Sequence, residues 1–236
     1  MSIKNVFYDL DGTLLPMDLD VFIKSYFKPL AAKFVAAGYD ADRILAELQE
    51  GIMTMIANDG SQTNEELFMS VFKKKYTEEE FDALETLIMD FYTNDFICTK
   101  EACGFNEKVP ECIELVKSLG LKQYITTNPL FPAVATRQRV QWAGLDINDF
   151  ETVTTYENTC FCKPNPLYYQ EIIDKFGLKA EECLMVGNNT DEDMIAATLG
   201  VKVFLVTDDL INESGQDINK YPHGNFDDLM EFIRGL

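Results

Sequence analysis

The chain opens on a short apolar run, Val6-Phe7-Tyr8, that stops at Asp9-Leu10-Asp11-Gly12-Thr13. An unbroken apolar run of this length, closed by Asp and Gly, predicts a buried strand that ends in a turn. Over residues 18–94 the spacing changes. Val21, Phe22, Ser25, Tyr26, Pro29, Leu30, Phe34 and Val35 recur at helical intervals, with Pro29 a candidate break or kink. Ile44, Leu45, Leu48, Ile52, Met55 and Ile56 predict a second helix ending near Asp59-Gly60. Thr63-x-x-Glu66 and Thr77-x-x-Glu80 are capping-box patterns that start a third and a fourth helix. Nothing in this block reads as a strand. Its aromatic residues Tyr26, Phe34 and Phe68, together with Met53 and Met55, read as its packing core.

After Gly104 the pattern alternates. Helix is expected over 110–118, 132–143, from Asn165-Pro166 to about 176, over 193–199, and from Asn225-x-x-Asp228 onward. Strands are expected over 121–126, 152–155, 183–186 and 201–206. Glycines 120, 144, 177 and 200 stop helices, and Gly187 follows a strand. Strands alternating with helices imply right-handed βαβ units and a parallel sheet. The first strand belongs to that sheet, so the helical block is an insertion behind it. The fold class is α/β: a Rossmann-like parallel sheet core with helices on both faces, formed by residues 1–15 and 105–236, plus an inserted all-helical domain over 16–104. A length of 236 residues suits one domain carrying a large insertion.

Composition narrows the function. The apolar fraction of 47 % and the charged fraction of 25 % are ordinary for a globular protein, but the net charge is −20. Such a surface repels phosphate backbones and anionic lipid, which argues against nucleic-acid and membrane partners. No apolar run approaches the roughly 20 residues that cross a bilayer. The first residues lack the apolar stretch and small-residue cleavage site of a signal peptide, so a cytoplasmic protein is expected. Six cysteines are too sparse for a disulfide scaffold. The Cys160-x-Cys162 pair has no second pair or His cluster to complete a zinc site. The single histidine, His223, sits in the turn-like Tyr221-Pro222-His223-Gly224. Triads and polyhistidine metal sites would rest on that one residue, so carboxylates and Lys are the expected chemical groups.

In an open parallel sheet, ligands bind beyond the carboxyl ends of the strands. Those ends carry Asp9, Asp11, Gly12 and Thr13 after the first strand, and Thr127 and Asn128 after the second. Lys163 lies in the loop after the third. Gly187, Asn188, Asn189, Asp191 and Asp193 follow the fourth. Hard oxygen donors beside an ammonium and hydroxyls suit Mg²⁺ together with a phosphate. Asp9 and Asp11, two residues apart, can both face the site. An ionised Asp9 can attack phosphorus, and Asp11, protonated beside another carboxylate, can act as general acid and then base.

Asp9-Leu10-Asp11-Gly12-Thr13-Leu14 resembles the first motif of the haloacid dehalogenase-like phosphohydrolases. Ile125-Thr126-Thr127-Asn128 resembles the second, Lys163-Pro164-Asn165-Pro166 the third, and Val186-Gly187-Asn188-Asn189-Thr190-Asp191-Glu192-Asp193 the fourth, all in the family's order. The resemblance implies a Mg²⁺-dependent phosphomonoester hydrolase acting on a small soluble phosphorylated metabolite through an aspartyl phosphate. Asp9, Asp11, Thr127 and Lys163 would be catalytic, with Gly12, Thr13, Thr127, Asn128 and Lys163 around the phosphate. Asp9, Asp11, Asn188 and Asp193 would surround the metal. The helical insertion would be the family's cap, closing over the site. Asn188 departs from the pattern, because the family usually has Asp directly after that glycine. An amide oxygen brings no charge, so metal affinity would drop unless Asp191 or Asp193 compensates. A dehalogenase has no use for Asp11 and Asp193. A response-regulator phospho-switch would carry its acidic pair before the acceptor Asp. A phosphomutase, or a weakly active ligand-binding member of the family, remains an alternative.

Overall fold

The computed structural model describes residues 2–236. Six parallel strands form one sheet in the order β3-β2-β1-β4-β5-β6. They are β1 (Asn5–Tyr8), β2 (Lys122–Ile125), β3 (Thr152–Val153), β4 (Cys183–Gly187), β5 (Lys202–Val206) and β6 (His223–Gly224). Among the described residues, eight α-helices accompany them: α1 (Leu19–Ala36), α2 (Ala41–Ile56), α3 (Asn64–Phe72), α4 (Glu78–Asp90), α5 (Lys108–Ser118), α6 (Ala133–Trp142), α7 (Pro166–Lys175) and α8 (Phe226–Arg234). Among the described residues, no helix is long and apolar enough to cross a membrane.

The two-residue period of a strand sorts the central side chains onto two faces. Val6 and Tyr8 of β1, with Leu184 and Val186 of β4, join the layer packed by α5 and α8. Phe7 and Met185, one residue out of phase, pack against Tyr168, Tyr169 and Ile172 of α7 on the other face. Burial on both faces explains why these strands read as continuous apolar runs. β1 lies between β2 and β4, with Tyr8 level with Ile125 on one side and Val186 on the other. Chain order reverses at β1, which is where such sheets bind ligands.

The block between β1 and α5 is helical, as the periodicity predicts. Both capping boxes form, on Thr63 with Glu66 and on Thr77 with Glu80. α1 runs unbroken through Pro29, although a proline there removes one helical hydrogen bond. Burial of Tyr26, Leu30 and Phe34 along one side of α1 holds the helix across that gap. Helical structure also outruns its expected end near 94. α4 passes into a π-helical turn, Phe91–Asp95, and then into 3₁₀ turns over Phe96–Ala102. Phe96 there joins the insertion to the sheet domain. Its ring stacks on Trp142 of α6 at 5.3 Å and sits within 6.4 Å of Phe22 and Tyr26.

Three local expectations change. Met194–Leu199 is a 3₁₀ segment ended by Gly200 at φ 87°, not an α-helix. The expected strand over 152–155 is two residues long. His223, expected in a turn, is exposed as expected but lies in β6, which pairs parallel with Leu205 and Val206 of β5. A two-residue edge strand owes its conformation to the neighbouring strand rather than to its own sequence. Phe96 is fully buried at this joint, among Phe22, Tyr26 and Trp142. Phe96→Ala is therefore expected to lower the unfolding free energy by about 3–5 kcal/mol, read by urea denaturation.

Candidate active site

The end of β1 is pinned from both sides. Asp9 N–H donates to the Val186 carbonyl at 2.9 Å, and Thr126 N–H donates to the Tyr8 carbonyl at 2.7 Å. The chain then turns tightly, with Gly12 N–H on the Leu15 carbonyl at 2.8 Å. Gly12 adopts φ 80°, and a Cβ there would lie 2.3 Å from Asn188 Nδ2. Glycine is thus needed both for the turn and for the approach of the β4 loop.

Lys163 is at the centre of the site. Its side chain is fully buried, and Nζ donates to Asp9 Oδ1 at 2.7 Å and to Asp193 Oδ1 at 2.6 Å. The other Asp193 oxygen accepts the Asn189 N–H at 2.9 Å. A Cβ on Gly187 would lie 2.2 Å from that carboxylate, so only glycine admits it against the end of β4. Thr13 Oγ1 bridges Asp9 Oδ2 at 3.2 Å and Asn188 Oδ1 at 3.0 Å. Asn188 Nδ2 donates to the Asp209 carbonyl at 2.6 Å. Asp9, Thr13, Lys163, Asn188 and Asp193, drawn from three separate loops, thus form one hydrogen-bonded group.

Thr127 and Asn128 flank this group at the end of β2. The Thr127 carbonyl accepts from Thr154 Oγ1 and from the Tyr168 hydroxyl, both at 2.8 Å. Asn128 Nδ2 faces Glu192 at 3.3 Å. Asp191 turns away into the 212–216 loop, where it accepts from Ser214 and Gln216. Asp11 is paired with Arg139 of α6, a partner that the sequence reading missed. Arg139 is wholly buried, and its guanidinium lies 4.6 Å from the centre of the Phe131 ring. Nothing in the spacing of α6 separates this arginine from the exposed Arg137 two residues earlier. The Tyr168 and Tyr169 rings, 6.0 Å from Lys163 Nζ, also went unread, because on α7 they look like ordinary packing residues.

Burial works against the Lys163 ammonium, but Asp193 and Asp9 outweigh it and hold its pKa well above the ordinary lysine value. Burial raises the Asp193 carboxyl, and the Lys163 charge opposes that rise. The Asp11 carboxyl is raised chiefly by burial. Arg139 pulls it back, and Asp9 pushes it up as a like charge. Burial pushes Glu192 to about 7.

The oxygen donors fit a hard divalent cation. Oxygens of Asp9 and Asn188 converge on the Thr13 hydroxyl, and Asp11 Oδ1 is buried without a hydrogen-bond partner among the described residues. Among those residues no three His, Cys, Asp or Glu side chains gather as a metal cluster, so an amide oxygen would have to contribute.

A model of the haloacid dehalogenase-like hydrolase family matches residues 3–200. The chain belongs to this family. It is 28 % identical over 220 residues to the glyceraldehyde 3-phosphate phosphatase of Methanothermobacter thermautotrophicus, covering 92 % of each chain. It is 25 % identical over 211 residues to the pyrophosphatase PpaX of Bacillus cereus, covering 88 % of this chain and 84 % of that one. A predicted phosphoglycolate phosphatase from Haemophilus somnus shares the fold, with TM-score 0.59 and 17 % identity over 98 % of each chain. The haloacid dehalogenase-like chain is thus an enzyme of a hydrolase family, similar to proteins named phosphatase and pyrophosphatase, and its α/β fold is the family's.

The Asp11–Arg139 pair makes a stability prediction. Without the guanidinium, the Asp11 pKa rises further. In acid the carboxyl is neutral and needs no partner, so Arg139→Met costs little. As pH rises through the raised Asp11 pKa, the folded variant must carry an unpaired carboxylate that the unfolded chain leaves in water. Urea unfolding is expected to give a deficit of roughly 2 kcal/mol at pH 8, shrinking toward pH 5.

Proposed function

We propose that the enzyme is a Mg²⁺-dependent phosphomonoesterase that works through an aspartyl phosphate on Asp9. The observation that carries this reading is Asp9 Oδ1 held 2.7 Å from the buried Lys163 ammonium at the end of the central strand. Asp9 Oδ2 is the oxygen left to attack, because only the Thr13 hydroxyl touches it. Attack on phosphorus forms the Asp9–phosphate bond and breaks the ester P–O bond. The departing alkoxide takes the Asp11 proton and leaves as an alcohol. Asp11, now ionised and supported by Arg139, takes a proton from water. That water's oxygen attacks phosphorus, releases inorganic phosphate and restores Asp9. Lys163 and the Thr127 and Asn128 side chains would bind the phosphoryl oxygens, with Gly12 and Thr13 shaping the turn beside them. Bound Mg²⁺ would offset the charge of carboxylate and phosphate, held by Asp9 through the oxygen that does not attack, by Asn188, and by Asp11 in its ionised form, with Asp193 acting through Lys163 or water.

Residues 16–104 are read as a cap that excludes water from a core formed by 1–15 and 105–236. The substrate is a small phosphorylated molecule, in keeping with the phosphatase and pyrophosphatase names of the relatives. All six cysteines are free thiols, which suits the cytoplasm. Asp11 favours this chemistry over dehalogenation, in which a departing halide needs no proton.

Hydrolysis of p-nitrophenyl phosphate tests the reading. Wild type with Mg²⁺ is expected to exceed Asp9→Asn by at least about a thousandfold, and chelation by EDTA to bring wild type close to the variant. Wild-type turnover equal to that of the variant would remove the proposal. Asn188→Asp is expected to lower the Mg²⁺ midpoint of activity, while loss of the amide bond to Asp209 costs about 1 kcal/mol of stability.

A further inference from the structure

A cavity of about 640 Å³ lies between the inserted helices and the sheet domain. This is the size of a small-molecule site. Ile52 and Met55 of α2, Phe68 of α3 and Ile88 of α4 form the insertion side, and Phe131 and Tyr156 form the opposite side. We infer, resting on the phosphomonoesterase reading above, that this cavity receives the leaving alcohol, and that this alcohol is uncharged and largely apolar.

Position is the first argument. The sheet-domain wall is built on the two loops that carry the proposed phosphate ligands. Leu130 lies three residues beyond Thr127 and lines the cavity. Tyr156 packs with Met55 and with Cys162, the residue before Lys163. Phe131 lies under the Arg139 guanidinium that pairs with Asp11. The cavity wall therefore belongs to the segments that carry Thr127 and Lys163 and includes the ring beneath Arg139.

Charge is the second. Among the described residues, no Lys, Arg or His lines the cavity, while Asp42 and Glu85 do. A leaving group with its own carboxylate or phosphate would meet no counter-charge there and two like charges, on a chain already at −20. That disfavours pyrophosphate and phosphoglycolate as substrates. The hydroxyls of Tyr26 and Tyr92 hydrogen-bond each other at 2.7 Å, which leaves the wall between them apolar.

Side-chain type is the third. Met53, Met55, Met69 and Met89 all line the cavity, and unbranched thioethers adapt to flexible apolar chains. Met53 is 58 % exposed, so burial in the protein core does not explain all four.

Alkylphosphonates, which keep the anionic head but have no ester bond to break, test the inference by calorimetry in Mg²⁺. Methyl-, butyl- and octylphosphonate are used below their micellar concentrations. Each added methylene is expected to lower Kd about two- to fourfold, making octyl more than a hundredfold tighter than methyl. Alkyl phosphates of the same lengths should show the same order in kcat/KM. Ile52→Trp is expected to collapse the octyl-to-methyl ratio, and the wild-type series decides the question if that variant fails to fold. A Kd independent of chain length, or phosphonoacetate binding more tightly than butylphosphonate, would overturn the inference. Alkyl phosphates cleaved without length dependence would leave the phosphatase reading standing. Octylphosphonate binding with no ester cleaved would instead remove the phosphatase reading and leave the cavity's preference for apolar chains.

Discussion

A buried ammonium is the constraint on which the site depends. An unpaired lysine charge removed from water is costly, and here Lys163 has no exposed side-chain surface. Two carboxylates meet that demand, and they come from different strands: Asp9 directly after β1 and Asp193 six residues beyond the end of β4. Lys163 itself arrives from the loop between β3 and α7. The pairing therefore exists only when β1 and β4 lie side by side in register, with Tyr8 level with Val186. The site and the sheet order are one structure. Two carboxylates facing one ammonium leave a negative excess, and neutral donors take up much of it: Thr13 on Asp9, and the Asn189 N–H on Asp193.

Much of this was readable from sequence because it rests on local signals. The apolar run ending in Asp9, the capping boxes at Thr63 and Thr77, and the loops carrying Lys163 and Asp193 all declare themselves within a few residues. The structure gathers Asp9, Thr13, Lys163, Asn188 and Asp193 into one group. What stayed hidden depends on residues far apart in the chain. Arg139 stands 128 residues from Asp11 on a helix whose pattern gives no sign that this position is buried. Its presence changes the account of Asp11. A second carboxylate alone would favour the protonated form, but burial is the larger cause and a guanidinium opposes both. β6 was missed for a related reason, since two residues carry no period.

The insertion and the sheet domain divide the chemistry. Within the sheet domain, buried charge is concentrated at the strand ends and is paired there. The insertion surrounds its cavity with methionine and aromatic carbon, and Asp42 and Glu85 stand there with no Lys, Arg or His among the described lining residues. Phe96 and Phe131 connect the two parts. The first stacks on Trp142, and the second lies under the guanidinium that holds Asp11. Phe131 also meets Phe22 and Tyr26 of α1, so one ring touches both the inserted helices and the guanidinium paired with Asp11.

Asn188 has a structural rationale beyond metal charge. Its amide does two jobs that a carboxylate cannot do together: Oδ1 accepts from Thr13 while Nδ2 donates to the Asp209 carbonyl. The Ile211 N–H in turn donates to the Asn188 carbonyl at 2.9 Å, so the 209–211 segment is fastened to the β4 loop at two points. An aspartate would place a charged oxygen against the Asp209 carbonyl and release one of those points, beside a residue that already carries its own carboxylate. Asn188 therefore gives up one formal charge at the proposed cation site and keeps the β4 loop, with Asp193 and the Lys163 pairing that depends on it, anchored to the following segment.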